Sequence, residues 1–514
     1  MYLAISAFAI ALVAGLSLSP VMRWIAWRVD FIDRPDGDRK HQHKPVAYGG
    51  GVVILLAALL AGLAVFPQLS AHIGFGKHTV RAMGFLVLAA GTIVAVGVAD
   101  DRFGMRGRHK LLFQFLVAVL AVYSGLTIDN LDFFGTDLHL GVFAGILTVM
   151  WILGAINSFN LIDGVDGLAS TVGLVISLAL GTLSLMHGDV VDATVAFAVA
   201  GAILGFLPYN SAPASMYLGD AGSMLIGLVL GVTALKCALK EATTVAAAPL
   251  VAIWAILILD SCAALLRRVL TGRSIYAGDR GHIHHRFLMR GFTPWQTMLS
   301  IGGLCLVTSL AAIGTVWFQV DYVGIVVALS VVVILAATRL FGHVEFSLLG
   351  RQLYQFGRGA LRPLRRAVPS NTTGLHLQGT ARWNELWTAI LESTERFQLV
   401  QVRLNVHLAR VHEDFYAAWK TEKEFETEET WQIDRPFMLH GSVAARLQVR
   451  GRISESDGGR MMSEFLEFAE TLAPQISEIA EFGKTSETTE DVKGGVLLNM
   501  EEERSRRKAV KSAV

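Results

Sequence analysis

The stretch NSFNLIDGVDGLASTVGLVISLALGTLSLM (157–186) decides the fold. Its second part, 169–186, is an apolar run without a charged residue, close to the ~20 residues that cross a bilayer as one helix. Its first part, NSFNLIDGVDGLA, holds Asn157, Asn160, Asp163 and Asp166 and no Lys or Arg. Working outward, ten more apolar runs can be drawn, at 2–22, 49–67, 81–99, 111–128, 140–157, 190–207, 221–238, 244–266, 296–317 and 322–340. Past about residue 341 the text turns polar. Apolar residues make up 53% of the chain and charged residues 17%, against roughly 25% charged in soluble domains. The expected fold is an all-α polytopic membrane protein of about 11 transmembrane helices with a small cytoplasmic α+β C-terminal domain.

The loops orient the spans. With the N-terminus outside, the odd-numbered connections lie in the cytoplasm. They carry Arg23, Arg28, Arg34, Arg39, Lys40 and Lys44, then Arg102, Arg106, Arg108 and Lys110, then Arg267, Arg268, Arg273, Arg280, Arg286 and Arg290. The other side has Lys77, Arg81, Lys236 and Lys240. This is the positive-inside asymmetry. It places the chain in the inner (plasma) membrane with its C-terminal domain in the cytoplasm. The first run starts at Met1 without a basic leader and reads as a retained helix. A net charge of +1 argues against a nucleic-acid partner. Cys237, Cys262 and Cys305 are far apart in apolar runs and form no metal spacing.

Two cytoplasmic connections lack basic residues: the segment around Asp163 and GFLPYNSAPASMYLGDAGS, with Asn210 and Asp220. Carboxylates and amides without a basic neighbour suit a hard cation; solvated loops are the alternative. Asn160, Asp163 and Asp166, spaced by three, would stack on one face if helical. Asp220 precedes a span, where it either caps the helix or faces a cation. Asp100 and Asp101 close the third span, as a general base, a metal pole or helix-end carboxylates. The loop RRVLTGRSIYAGDRGHIHHRFLMRGFTP gathers Arg280, His282, His284, His285 and Arg286. Zinc is poorly served by that spacing, and an oxyanion is better served. DFIDRPDGDRKHQHKPVAYGGG brings Lys40 and His43, then three glycines that permit close packing or an anion at a helix start. Asp260 lies inside an apolar run, where a carboxylate is functional or an interhelical strut.

Five motifs then agree in order and in side of the membrane: DRPDGDRKHQHKPVAYGGG, VADDRFGMRGRHKLLFQ, NSFNLIDGVDGLA, GFLPYNSAPASMYLGDAGS and DRGHIHHR. Together they resemble the polyprenyl-phosphate N-acetylhexosaminyl-1-phosphate transferases over residues 1–340. The resemblance implies transfer of a sugar 1-phosphate from a UDP-N-acetyl sugar to undecaprenyl phosphate, with release of UMP and with Mg²⁺ as cofactor, Mn²⁺ being the alternative ion. It implies metal binding by Asp220 and Asn160, and catalytic roles for Asp100, Asp101 and Lys110. Substrate contacts would come from Asp163, Asp166, Asn210, Arg280, His282, His284, His285, Arg286, Lys40 and His43. HIHHR resembles the UDP-N-acetylglucosamine branch. The muramoyl-pentapeptide substrate is an alternative, and an ion-coupled transporter is an alternative of another class. The expected partners are UDP-N-acetylglucosamine, undecaprenyl phosphate, the bilayer and a second copy in a homodimer.

The remainder divides into a basic juxtamembrane segment and linker (341–375, with PSNTTG as linker), an α+β domain without a readable role (376–482), and a charged tail (483–514) whose composition is that of a disordered segment.

Overall fold

The computed structural model describes residues 1–34, 44–73, 77–128, 130–133, 136–240, 247–270, 281–320, 322–342, 346, 371–378, 383–408, 413–421, 430–439, 442–453 and 459–479. Lys40, His43, Arg280 and the tail after 479 lie outside them. The chain divides into two compact units, Met1–Gly350 and Arg351–Val514.

The first unit is a helical bundle. Its helices are α1 (Tyr2–Arg28), α2 (Gly50–Ile73), α3 (Lys77–Phe103), α4 (Gly107–Tyr123), α5 (Phe143–Ile162), α6 (Leu168–Met186), α7 (Val190–Asn210), α8 (Gly219–Lys240), α9 (Ala247–Leu270), α10 (Ile283–Met289), α11 (Pro294–Phe318) and α12 (Val323–Ala337). Each of the eleven predicted spans overlaps one of these helices, and α10 lies in a predicted loop. Nine of the described helices are long and apolar enough to cross a membrane. Besides the short α10, the exceptions are α4, with 17 residues, and α12, with 15. At 1.5 Å per residue they fall short of a ~30 Å hydrocarbon core.

Burial separates centre from rim. In α8, 89% of the apolar window is buried, against 22% in α1. A helix that is apolar all round belongs inside a bundle, and α8 packs against α2, α3, α5 and α6. Leu63, Val142, Met150, Trp317 and Val333 are among the large apolar side chains left exposed. In a membrane protein that surface meets lipid. Trp254 on α9 is nearly fully buried and lies edge-on to Trp151 and Phe159 of α5, with ring centroids 5.4 and 5.6 Å away.

Three local features depart from the sequence reading. Two short antiparallel pairs interrupt the helices: β1 (Ile32–Asp33) with β2 (Val46–Ala47), and β3 (Asn130–Phe133) with β4 (Thr136–His139). Helix α5 runs on to Ile162, so Asn160 sits in its last turn while Asp163 is its C-cap and Asp166 lies in the turn beyond. The three therefore do not stack on one helix face. The glycines at 164 and 167 end the helix sooner than the spacing suggests, Gly167 at φ +76°. Asp220 lies inside the first turn of α8 and does not occupy its N-cap.

The second unit is an α+β fold. Strands β5 (Asn371–Gln378), β6 (Leu399–Leu408), β7 (Glu413–Lys420), β8 (Thr430–Leu439) and β9 (Ser442–Arg452) form an antiparallel sheet in the order β5-β7-β6-β9-β8. In β6, Val402, Leu404 and Val406 alternate inward. They share a core with Trp383, Trp387 and Ile390 of α13 (Trp383–Glu392) and with Phe465, Ala469 and Leu472 of the helix 459–479. Strand β5 begins inside PSNTTG, so part of the stretch read as a linker is an edge strand.

Candidate active site

Helix ends bring the acidic motifs together. Lys110, in the first turn and a half of α4, is the hub. Its Nζ lies 3.1 Å from Asp100 Oδ2 and donates to Asn160 Oδ1 at 3.1 Å and to Asp220 Oδ2. Asn160 Nδ2 donates to Asp220 Oδ1 at 2.7 Å and to Ser223 Oγ at 3.1 Å. The Asp100 and Asp220 carboxyls are within hydrogen-bond reach of each other. Three motifs, carried on the four helices α3, α4, α5 and α8, thus share one polar focus. Lys110 and Asp100 are largely buried there (side chains 13% and 11% exposed), while Asp220 remains 31% exposed and accessible to a ligand.

Asp101 plays a different part from its neighbour. Its carboxylate accepts from the backbone amides of Asp220 at 2.8 Å and Ala221 at 3.3 Å. It caps α8 from outside the helix, supplying acceptors for orphan donors and a negative charge at the positive end of the helix dipole. The cap that the sequence suggested for Asp220 comes from α3 instead. The turn needs Gly219, at φ +70°, where a Cβ would stand 2.5 Å from Asp101 Oδ2. Close packing explains glycines on both α2 and α3: a Cβ on Gly51 of the AYGGG motif would lie 2.4 Å from the Ala221 backbone, and one on Gly97 2.3 Å from Ala221 Cα. Gly50 N and Gly51 N donate to the carbonyls of Tyr217 and Leu218 at 3.1 and 3.2 Å.

The Asp163–Gly167 turn lies beside this focus. Burial first, then the charges of Asp220, Asp101 and Asp166, hold the Asp163 carboxyl well above the usual carboxylate range. Burial also raises Asp166, whose Oδ2 accepts from Ala214 N at 2.9 Å. Asn210 is committed inside the fold: its amide oxygen accepts from Ser170 Oγ at 2.7 Å and its nitrogen donates to the Met216 carbonyl at 3.1 Å. It braces α6 and α7 against the loop that leads to Asp220.

In the histidine motif, His284 is 1% exposed and packs on the same turn, where a Cβ on Gly164 would meet its Nε2 at 2.3 Å. The His282 and His284 rings stack with centroids 5.8 Å apart, and His285 tilts against His284 at 4.2 Å. His285 and Arg286 are half-buried.

Two phenols escaped the sequence reading. Tyr48 and Tyr217 have ring centroids 5.8 Å apart beside the acids. Burial, then Asp33, Asp101 and Asp220 among its charged neighbours, pushes the Tyr48 hydroxyl up. Burial, then Asp166 and Asp33, does the same to Tyr217. Both stay protonated donors at neutral pH. The available signal was their position, one directly before the three glycines and the other three residues before Asp220.

Among the described residues no group of three or more His, Cys, Asp or Glu side chains forms a metal cluster. The donor set around Lys110 is sparser: two carboxylates and one amide oxygen already aimed at a cation. That matches Mg²⁺, which takes one or two protein carboxylates and fills its other positions with water and phosphate oxygens.

The chain is similar to known proteins over this unit. The model of glycosyl transferase family 4 matches residues 82–238, which include Asp100, Lys110, Asn160 and Asp220. A probable undecaprenyl-phosphate N-acetylglucosaminyl 1-phosphate transferase of Bacillus subtilis (strain 168) is 30% identical over 327 residues, covering 62% of this chain and 88% of the relative. A decaprenyl-phosphate N-acetylglucosaminephosphotransferase of Mycolicibacterium smegmatis is 31% identical, covering 57% and 78%. An undecaprenyl-phosphate alpha-N-acetylglucosaminyl 1-phosphate transferase of Escherichia coli O157:H7 is 30% identical, covering 54% and 75%. With nine membrane-length helices among the described residues, one shared polar focus at helix ends and this extent of similarity, the chain belongs to glycosyl transferase family 4, the polyprenyl-phosphate N-acetylhexosaminyl-1-phosphate transferases.

Proposed function

We propose that this protein transfers N-acetylglucosamine 1-phosphate from UDP-N-acetylglucosamine to undecaprenyl phosphate on the cytoplasmic face of the plasma membrane. The observation that carries this reading is the convergence of Asp100, Lys110, Asn160 and Asp220 at the ends of four helices. A lipid phosphate needs a site at a bundle end that opens sideways to the bilayer, and charges placed at helix ends satisfy that need.

An acceptor phosphate oxygen attacks the β-phosphorus of the sugar nucleotide. A new P–O–P bond forms, the bond from that phosphorus to the bridging oxygen breaks, and UMP leaves with the electron pair. A phosphate monoester carries close to two negative charges at neutral pH, so the attacking oxygen brings its lone pair without a base. On this account the acids bind and position. Asp101 holds the start of α8, and with it the carboxylate of Asp220. Lys110 offsets charge that develops on the phosphoryl oxygens. Asp220, Asp100 and the amide oxygen of Asn160 would hold Mg²⁺, or Mn²⁺ in its place, which when bound supplies charge neutralisation across the diphosphate. The protonated Tyr48 and Tyr217 offer hydroxyl donors at the rim.

Membranes carrying the protein, given undecaprenyl phosphate and a panel of UDP-sugars with and without Mg²⁺, test the reading. UMP release is expected with UDP-N-acetylglucosamine and to stop on chelation. Release only with UDP-muramoyl-pentapeptide would replace the donor assignment, and metal-independent release would remove the cofactor.

A further inference from the structure

Asp260 is 1% exposed, one of the few carboxylates buried within a span. An ionised group in such a place is costly unless it is fully engaged. Its two oxygens face one short segment: Oδ2 lies 2.9 Å from His282 Nδ1, and Oδ1 accepts from Ile283 N at 2.7 Å. The carboxylate therefore holds both the first histidine and the first backbone amide of α10. From there the contacts run in one direction. The His282 ring lies parallel to His284, 4° apart in plane, and His284 Nε2 abuts Gly164 in the Asp163–Asp166 turn. The next residue on α9, Ser261, has its Oγ 2.8 Å from Ser158 Oγ on α5, two residues before Asn160.

We propose that Asp260 is a positioning residue for sugar-nucleotide binding: it locks the His282–His285 segment onto the Asp163–Asp166 turn, so that the histidines and the acidic turn form one preformed wall. A charged acceptor suits the task better than a neutral one. A carboxylate accepts from a side chain and an amide at once, and charge-assisted bonds are about twice as strong as neutral ones. An asparagine keeps one oxygen acceptor and turns a donor toward the other partner. Asp260 itself touches no reacting atom. Its removal frees α10, lets His284 leave Gly164 and weakens the wall before any chemistry begins.

The inference rests on the proposed transferase reading, and the test separates the two. In full-length protein in lipid nanodiscs, Asp260→Ala is expected to raise KM for UDP-N-acetylglucosamine about tenfold, with kcat altered less than threefold and KM for undecaprenyl phosphate unchanged. Asp260→Asn should raise the same KM about threefold. His282→Ala and the Asp260→Ala/His282→Ala double variant should match Asp260→Ala, since two residues that act as a unit are not additive. Cys262→Ala, at an exposed position on the same stretch of α9, controls for substitution there and is expected to keep the wild-type KM. Additive losses, an unchanged KM, or an equal fall in kcat with both KM values intact would overturn the inference. Hydrogen exchange reads the anchor without activity: the Ile283 amide should lose protection in Asp260→Ala, which removes its acceptor, and unchanged protection would also overturn the inference. Wild-type protein that releases no UMP from any UDP-sugar would instead overturn the transferase reading.

Discussion

Helix α8 carries a paired charge near each end, and the two are handled differently. At one end Lys236 Nζ meets Asp192 Oδ1 of α7 at 2.8 Å, with side chains 18% and 6% exposed. At the other end, about 24 Å away along the helix axis, Asp220 shares Lys110 with Asp100 and Asn160. Among the described residues, the first site pairs one cation with one carboxylate. The second aims two carboxylates and an amide oxygen at one ammonium and leaves Asp220 partly open. Matched charge inside a bundle is a strut. A surplus of oxygen ligands around one cation has capacity left for a second cation and the phosphates it carries.

The largest effect expected from this contrast is on catalysis. Asp220→Asn keeps the shape of the side chain but removes half of the surplus. Losing such a group in a preorganised charged site commonly costs a hundred- to a thousandfold, and a loss of about a thousandfold in UMP release is expected at unchanged expression. Near wild-type transfer would show that the surplus is not a ligand site. At the other end of α8, Asp192→Asn leaves Lys236 facing a neutral amide. Stability should fall by about 3 kcal/mol, as when one partner of a buried pair is lost, while kcat per folded molecule stays unchanged. Melting in detergent checks this, and the Asp192→Leu/Lys236→Met double variant should recover most of the loss. A dead but stable Asp192→Asn would reverse the comparison.

The smallest expected effect is a pH slope. Burial first, then His285 and His282, hold His284 well below its ordinary value of 6.5. The unfolded chain therefore takes up a proton at His284 before the folded protein does. The stability that its neutral form supports is complete above about pH 6.5 and is lost as pH falls from there toward the folded-state value. A His284→Gln variant should show a shallower fall in melting midpoint between about pH 7 and 5.5. Equal slopes would mean that this imidazole is not held neutral.

Much of the bundle was legible because apolar runs of membrane length admit few structures. Every polar backbone group must be satisfied within the segment, so 169–186 reads as a helix from composition alone, and α6 is there. The site was partly legible for the same reason: Asp100, Lys110, Asn160 and Asp220 stand out because charges and amides are scarce near spans. Their assignments were harder. Nothing local distinguishes Asp100, which faces Lys110, from Asp101, which caps a helix 119 residues away. Asn210 stands out in sequence as an amide in an acidic loop, and only the fold shows that it also bonds Ser170 and Met216. In the second unit the alternation of LVQVRLNVHL marked β6, whereas β5, in NTTGLHLQ, has a weak pattern and is recruited by pairing with β7.

The sequence by itself determined that the first 340 residues form a membrane bundle, which of its ends gathers the acids, and which family the motifs resemble. All three follow from the cost of bringing polar groups into hydrocarbon, a cost that depends on residue type and not on neighbours. Only the tertiary structure decided that Lys110 is the hub, that Asp101 serves α8, and that Asp260 anchors the histidines. A hydrogen bond acts over about 3 Å, and which groups come that close depends on how glycine-lined helices pack.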